Sequence, residues 1–387
     1  MNKFIPYGKQ WIDEDDIESV VEVLRGDYLT TGPKINEFES KIAEYTGAKY
    51  VVTFSNGTAA LHAACFAAGI GKDDEVITTP ITFAASANCV LYVGGKPVFA
   101  DICPKTYNID PSEIKRKITH QTKAIIPVDF TGQPCDIDKI MEIAKEHNLT
   151  VIEDASHSIG ATYKGRKVGT LADMTTFSFH PVKNITTGEG GAVTTDKREY
   201  FEKLILFRTH GITRDEKKLN NKGEGSWFYE QQILGYNYRM TDIQAALGIS
   251  QLKKLDIFLD IRRKYANQYN AELKKIDGLV IPYQDKNSNS AWHIYVIQLD
   301  REKLKVNRGQ FFRELQDRGI GPNVHYIPVY YHPYYRELGY EKGLCPKAEA
   351  LYERMITIPL FAKMSLEDVD YVNSIIKETI DYFSNKK

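Results

Sequence analysis

The first two thirds of the chain repeat one rhythm: a short apolar run, a stretch with helical spacing, then another short apolar run. The runs at 50–54, 75–79, 97–101, 123–130, 150–154, 174–179 and 191–195 are brief and rich in β-branched residues. Both traits favour strands over buried helices. Helical patterns at 58–68, 84–93 and 137–147 fall between several of them. Strand, helix, strand in this order predicts an α/β fold, a mostly parallel central sheet with helices on both faces. From Met240 to about Ile276 a long helical pattern places Ile243, Ala246, Leu252, Leu255 and Phe258 near one face. It is expected to lead out of a large domain, residues 1–250, into a smaller C-terminal α+β domain, residues 251–387. That second unit should hold a strand in AWHIYVIQLD, a helix at 308–318 and a last helix at 365–384.

Charge narrows the class of partner. Lys plus Arg number 50 and Asp plus Glu 51, so no strong field draws nucleic acid or an anionic membrane. A small molecule or a protein is the expected partner. The N-terminal MNKFIPYGKQWIDEDD lacks an apolar core of signal-peptide length, and no run of about 18 apolar residues is present to span a membrane. Cys65, Cys89, Cys103, Cys135 and Cys345 are scattered and form no C-x-x-C pair. That predicts reduced thiols in a cytoplasm, with neither a disulfide framework nor a zinc site. His325 and His332 are seven apart in a Pro- and Tyr-rich loop, a poor metal spacing.

The chemistry concentrates at predicted strand ends, where sheets of this class bind ligands. In FSFHPVKNITTGEGGAV a buried strand runs into Lys183, then into Gly188, Gly190 and Gly191. A lone lysine past a strand is usually a solvated surface residue. One desolvated at a sheet end can act as a nucleophilic amine. VIEDASH closes another strand on Asp154, followed by Ser156 and His157. Asp154 could be a helix N-cap or the partner of a pyridinium nitrogen. FSNGTAAL opens a helix on Gly57 and Thr58, either an ordinary capped helix or a phosphate cradle. Ser178 could add a hydroxyl to the same phosphate, and Phe83 in PITFAAS could stack on a flat ring or fill the core. No G-x-G-x-x-G follows a strand and no G-x-x-x-x-G-K-[ST] is present, so a nicotinamide or nucleotide-triphosphate site lacks its fingerprint. Phosphate donors, a ring-nitrogen partner, a stacking aromatic and an amine together point to pyridoxal 5'-phosphate.

The chain resembles the fold type I aminotransferases of the DegT/DnrJ/EryC1 family, essentially over its whole length. The stretches that carry the likeness include GDYLTTGPKINEFE, SNGTAALHAAC, VIEDASHSIGATYKGRKVG, FSFHPVKNITTGEGGAVTTD, GYNYRMTDIQAALGISQLKKLD and VHYIPVYYHPYY. The resemblance implies that Lys183 joins the cofactor's aldehyde as an imine and shuttles the proton. Asp154 would hold the pyridine nitrogen, His157 would sit by the ring, Phe83 would stack on it, and Gly57, Thr58 and Ser178 would bind the phosphate. Asn237 would reach the phosphate in a neighbouring subunit, with Arg239 at the same interface, making the active unit a homodimer. Tyr7, then Asp27, Tyr28, Leu29 and Thr30, then Val324, His325, Tyr326 and Ile327 fall where relatives contact the sugar nucleotide. Relatives with histidine at the lysine position are dehydratases; Lys183 implies transamination, with pyridoxamine 5'-phosphate as the intermediate carrier. The FSFH-x-x-K string and the VHY-x-P loop most resemble the 4-aminotransferases of pseudaminic acid biosynthesis. That implies a UDP-linked 4-keto-6-deoxy-N-acetylhexosamine and L-glutamate as substrates. The enzyme that makes UDP-4-amino-4-deoxyarabinose from UDP-4-keto-arabinose shares much of the string, and a dTDP-4-keto-6-deoxyhexose is a further alternative substrate. A non-catalytic relative would have no need of the lysine.

Overall fold

The structure, a computed structural model, describes residues 3–221, 225–304 and 306–385. Seven strands form the central sheet: β1 (Tyr50–Phe54), β2 (Glu75–Thr78), β3 (Lys96–Phe99), β4 (Thr122–Ile126), β5 (Thr150–Asp154), β6 (Met174–Ser178) and β7 (Gly191–Thr195). Across the sheet they lie in the order β1-β7-β6-β5-β4-β2-β3. Neighbours run parallel except β7, which is antiparallel to both β1 and β6. The expected mostly parallel sheet is therefore present, and its parallel strands direct their carboxyl ends to one edge.

The helices begin and end where their sequences dictate. α1 (Glu14–Arg25) starts on a reciprocal cap: the Asp16 N–H donates to Asp13, and the Asp13 N–H donates to the Asp16 carboxylate. α2 (Pro33–Thr46) has proline in its first turn and stops at Gly47, whose φ of 84° suits glycine. α3 (Gly57–Ala67), α4 (Ala85–Tyr92) and α5 (Ile137–His147) follow β1, β2 and β4 in the chain. α6 (Asp242–Leu273) opens on a Thr241/Gln244 capping box.

One expected strand is shorter than its apolar pattern. The run 123–130 pairs as a strand only to Ile126, because Pro127 has no N–H to give the ladder. The chain still hugs β5: the Asp154 N–H donates to the Pro127 carbonyl at 2.8 Å, and the Asp129 N–H donates to the Asp154 carbonyl at 3.1 Å. It then turns through Phe130–Gly132, with Thr131 at φ 63°.

α6 carries the chain from one core to another. Its first half packs Ala245, Ile249, Leu255 and Leu259 into a cluster with Phe38, Ile42 and Phe179. Its second half packs Tyr265, Ala266, Tyr269 and Leu273 into a cluster with Ile297, Phe311 and Ile376. That second cluster surrounds a small antiparallel sheet of β8 (Leu279–Val280), β9 (Tyr295–Leu299) and β10 (Met355–Ile358), with α7 (Arg308–Asp317) and α8 (Leu366–Asn385) packed nearby. Ile5 belongs to the same cluster, and Ile5–Pro6 pairs in parallel with Ile320–Gly321. The N-terminal segment is thus tied to the C-terminal unit just before Tyr7. Among the described residues, no helix is long and apolar enough to cross a membrane. All five cysteines are free, and no group of three or more His, Cys, Asp or Glu among the described residues could hold a metal.

Candidate active site

A cleft of about 920 Å³ opens beyond the carboxyl ends of the parallel strands. β1 leads into Asn56, whose side chain accepts the Ala59 N–H at 2.8 Å and caps α3. Gly57 and Thr58, the first residues of α3, line the cleft beside Ser178 from the end of β6. Space is tight there. A Cβ on Gly57 would meet Ser178 Cβ at 2.9 Å, and one on Gly191 would meet the Asn56 carbonyl oxygen at 2.5 Å. Gly191 pairs with both Phe54 and Ser178, so β7 must pass close to the capped turn. This is why Gly191 carries no side chain, while Gly188, at φ 79°, lets the loop turn.

Asp154 ends β5 on the cleft floor and is 3% exposed. Its Oδ2 accepts the Ser86 hydroxyl at 2.6 Å, and its Oδ1 accepts both the Ser156 hydroxyl at 2.6 Å and the Ser156 N–H at 3.1 Å. Thr82 Oγ1 lies 2.7 Å from Ser86 Oγ and extends the chain of hydroxyls. The carboxylate is thereby fixed in direction. Behind it, burial pushes the Glu153 carboxyl well up and Asp129 to about 6, with the Asp154 charge a smaller contributor in each case.

Lys183 lines the same cleft past β6. Removal of its ammonium from bulk water lowers it to about 8, against the smaller opposing pull of Asp154. Near neutral pH a useful fraction is therefore free amine. Three imidazoles stand with it. Burial, helped by the lysine's charge, holds His157 and His293 well below the ordinary histidine range and His325 at about 4. All three are neutral at pH 7. His157 Nε2 is 3.1 Å from the Tyr326 hydroxyl, while Nδ1 of His157 and of His293 have no partner among the described residues. No arginine is among the lining residues, so the cationic side chain of the wall is Lys183.

Of the residues expected from sequence, Tyr7, Gly57, Thr58, Phe83, Asp154 and His157 line the cleft. So do Ser178, Lys183, Val324, His325 and Tyr326. Within one chain Asp27, Tyr28, Leu29 and Thr30 lie outside it on the surface, as do Asn237 and Ile327, and Arg239 also lies beyond the lining. Thr30 forms a bridge with Thr241, which brings the 27–30 turn beside the stretch that carries Asn237 and Arg239. The sequence reading missed Ser86, His180, His293 and Asn323, which also line the cleft. Each stood next to a motif already quoted: Ser86 in FAAS, His180 in FSFH, His293 in AWHIY and Asn323 before VHY.

These residues fit pyridoxal 5'-phosphate. The crowded hollow at the start of α3 offers backbone N–H groups, Thr58 and Ser178 to a phosphate. The serine-fixed carboxylate suits a protonated ring nitrogen, and the desolvated amine suits an aldehyde. The partnerless Nδ1 of His157 leaves a polar contact for something bound.

Similarity to known proteins agrees with this geometry. The chain is 40% identical to the UDP-4-amino-4,6-dideoxy-N-acetyl-beta-L-altrosamine transaminase of Campylobacter jejuni, over 96% of each chain. Helicobacter pylori PseC, an aminotransferase involved in the biosynthesis of pseudoaminic acid, superposes with a TM-score of 0.91 at 33% identity, covering 98% of this chain and all of that one. Spr1654 of Streptococcus pneumoniae superposes in its PLP form (TM-score 0.91) and its PMP form (0.92) at 32% identity, covering 98% of this chain and at least 98% of that one. Residues 10–377 match the DegT/DnrJ/EryC1/StrS aminotransferase family; the chain belongs to it, and is a sugar aminotransferase of fold type I that uses pyridoxal 5'-phosphate.

Proposed function

We propose that this enzyme transfers an amino group from L-glutamate to C4 of a UDP-linked 4-keto-6-deoxy-N-acetylhexosamine. We further place it in the cytoplasm as a homodimer, in which Asn237 and Arg239 serve the neighbouring subunit's site. The observation that carries this reading is that Tyr7 and the loop 324–326 line the same cleft as Lys183 and Asp154. One wall thus faces a sugar nucleotide while the floor holds the reacting centre. The five free thiols support a reducing compartment.

Each residue has a task in this scheme. The bound cofactor supplies an electron sink that stabilises carbanion charge. Asp154, held by Ser86 and Ser156, keeps a positive ring nitrogen paired so that the sink stays effective. Lys183 Nζ takes a proton from the donor's α-carbon side and returns one on the acceptor side, which a group with a pKa near 8 can do in both directions at neutral pH. Gly57, Thr58 and Ser178 anchor the phosphate, and Phe83 covers the ring face. His157, joined to the Tyr326 hydroxyl, offers its free Nδ1 toward the ring substituents. Tyr7, His325 and the exposed 27–30 turn contact the sugar nucleotide.

Mass spectrometry of reactions containing L-glutamate and a panel of UDP- and dTDP-linked 4-keto sugars tests the substrate. We expect amination of the UDP-linked 4-keto-6-deoxy-N-acetylhexosamine. Faster amination of UDP-4-keto-arabinose or of a dTDP-linked sugar would replace it with that substrate.

A further inference from the structure

Arg262 sits on α6 where that helix passes from one hydrophobic cluster to the other, between Leu259 and Tyr265. It is 2% exposed, and among the described residues it forms no salt bridge. Its Nη1 instead donates to three backbone carbonyls: Leu360 at 2.8 Å, His293 at 3.1 Å and Trp292 at 3.3 Å. Its Nε has no partner. A buried cation without a carboxylate is costly, so its retention needs a reason beyond packing.

The three carbonyls lead into the cleft. His293 lines it, with its ring 4.3 Å from that of His157. Trp292 holds φ at 45°, a left-handed conformation that is strained for a bulky side chain. That kink turns His293 inward while the His293 N–H is bound to the Thr131 carbonyl at 2.9 Å. The Leu360 N–H donates to the Tyr7 carbonyl at 3.1 Å, and the Tyr7 ring lies 5.0 Å from that of His325. One guanidinium therefore ties together the segments that present His293 and Tyr7, which are far apart in the chain.

We infer that Arg262 is a positioning residue for the active site: its buried guanidinium sets where His293 and Tyr7 stand in the cleft. It acts by geometry and by charge. The groups that face His293 from the surrounding elements are His157, Lys183, Arg262 and His325, and after burial each of them disfavours a charged imidazole. Arg262, from behind the wall, thus helps to keep His293 neutral beside Lys183, which must stay reactive. This rests on the aminotransferase chemistry of the cleft, and it is independent of which sugar is the substrate.

Two variants test it in the full-length, cofactor-loaded enzyme. Ring resonances of His293 are followed against pH, and the half-saturating concentration (KM) and limiting rate (kcat) of the L-glutamate half-reaction are measured from the single-turnover loss of cofactor absorbance. In Arg262→Gln the His293 midpoint is expected to move up, and KM to rise about tenfold with kcat less affected. In Arg262→Lys the charge remains but the ammonium falls short of the three carbonyls. The midpoint should then stay at its wild-type value while KM rises about threefold. A glutamine variant with the wild-type midpoint or the wild-type KM overturns the inference. If that variant does not accumulate, the lysine variant decides, and an unchanged KM or a displaced midpoint in it is equally fatal. Wild-type enzyme inert toward L-glutamate would sink the choice of donor, while the His293 titration would still judge Arg262.

Discussion

The floor of the cleft and its rim are built on opposite principles. On the floor, Asp154 is 3% exposed and is directed by hydrogen bonds from Ser86 and Ser156. On the rim, Phe83 is 63% exposed; on the surface outside the cleft, Tyr28 is 59% and Leu29 47% exposed. In the proposed scheme the floor performs the steps common to any amino donor or acceptor, and its residues hang from strand ends that are held in the sheet. In the same scheme Phe83 covers the cofactor and the 27–30 turn meets what differs between substrates; the apolar side chains of both stand open in a single chain. On the proposed reading, chemistry is locked by the backbone, while selectivity is left to exposed surfaces.

The difference can be broken at the floor first. Lys183→Ala should reduce turnover by about 10⁴-fold and abolish the visible absorbance of loaded protein, while circular dichroism stays native. Retained turnover would remove the lysine from the chemistry. Asp154→Asn keeps the shape and discards the charge. We expect a loss of about 10²–10³-fold in kcat with the protein still folded, measured by steady-state kinetics. The third test uses pH. The free amine is the reactive form, and Lys183 sits at about 8 rather than the ordinary 10.5. Covalent capture of pyridoxal phosphate by the cofactor-free chain should therefore quicken about tenfold per pH unit below 8 and level off above it. A rate still climbing toward pH 10 would show an unperturbed lysine. At the rim the effect should be smallest. Phe83→Leu should weaken cofactor binding by about 2–10-fold, the equivalent of one lost aromatic contact, as read by titration of cofactor absorbance. A loss as large as that at the floor would erase the distinction.

Much of the floor was legible in the sequence because its signals are local. A strand that ends on a charged residue, or a helix that opens on Asn-Gly-Thr, needs only neighbours in the chain to be read. The helix 137–147 was legible from its periodicity, and the structure ends it at Asn148, which takes a left-handed conformation as its C-cap. Other features depend on distant partners. Ser86 reads as a small helical residue until the fold brings it 2.6 Å from Asp154, 68 positions away. His293 reads as part of a strand until the Trp292 kink turns it into the cleft. α1 and α2 left signals that went unread: the Asp13/Asp16 box, and Pro33 with Gly47. The run 123–130 erred in the other direction, because apolar patterning continues through a proline that the hydrogen-bond ladder cannot use.

The 32-residue helix α6 spans roughly 48 Å and gives side chains to both hydrophobic clusters. Neither half of the molecule can melt while the other keeps that shared rod intact, so their stabilities are joined in one cooperative unit. Urea should accordingly dismantle the protein in a single sigmoidal transition, with fluorescence and far-ultraviolet signals falling together.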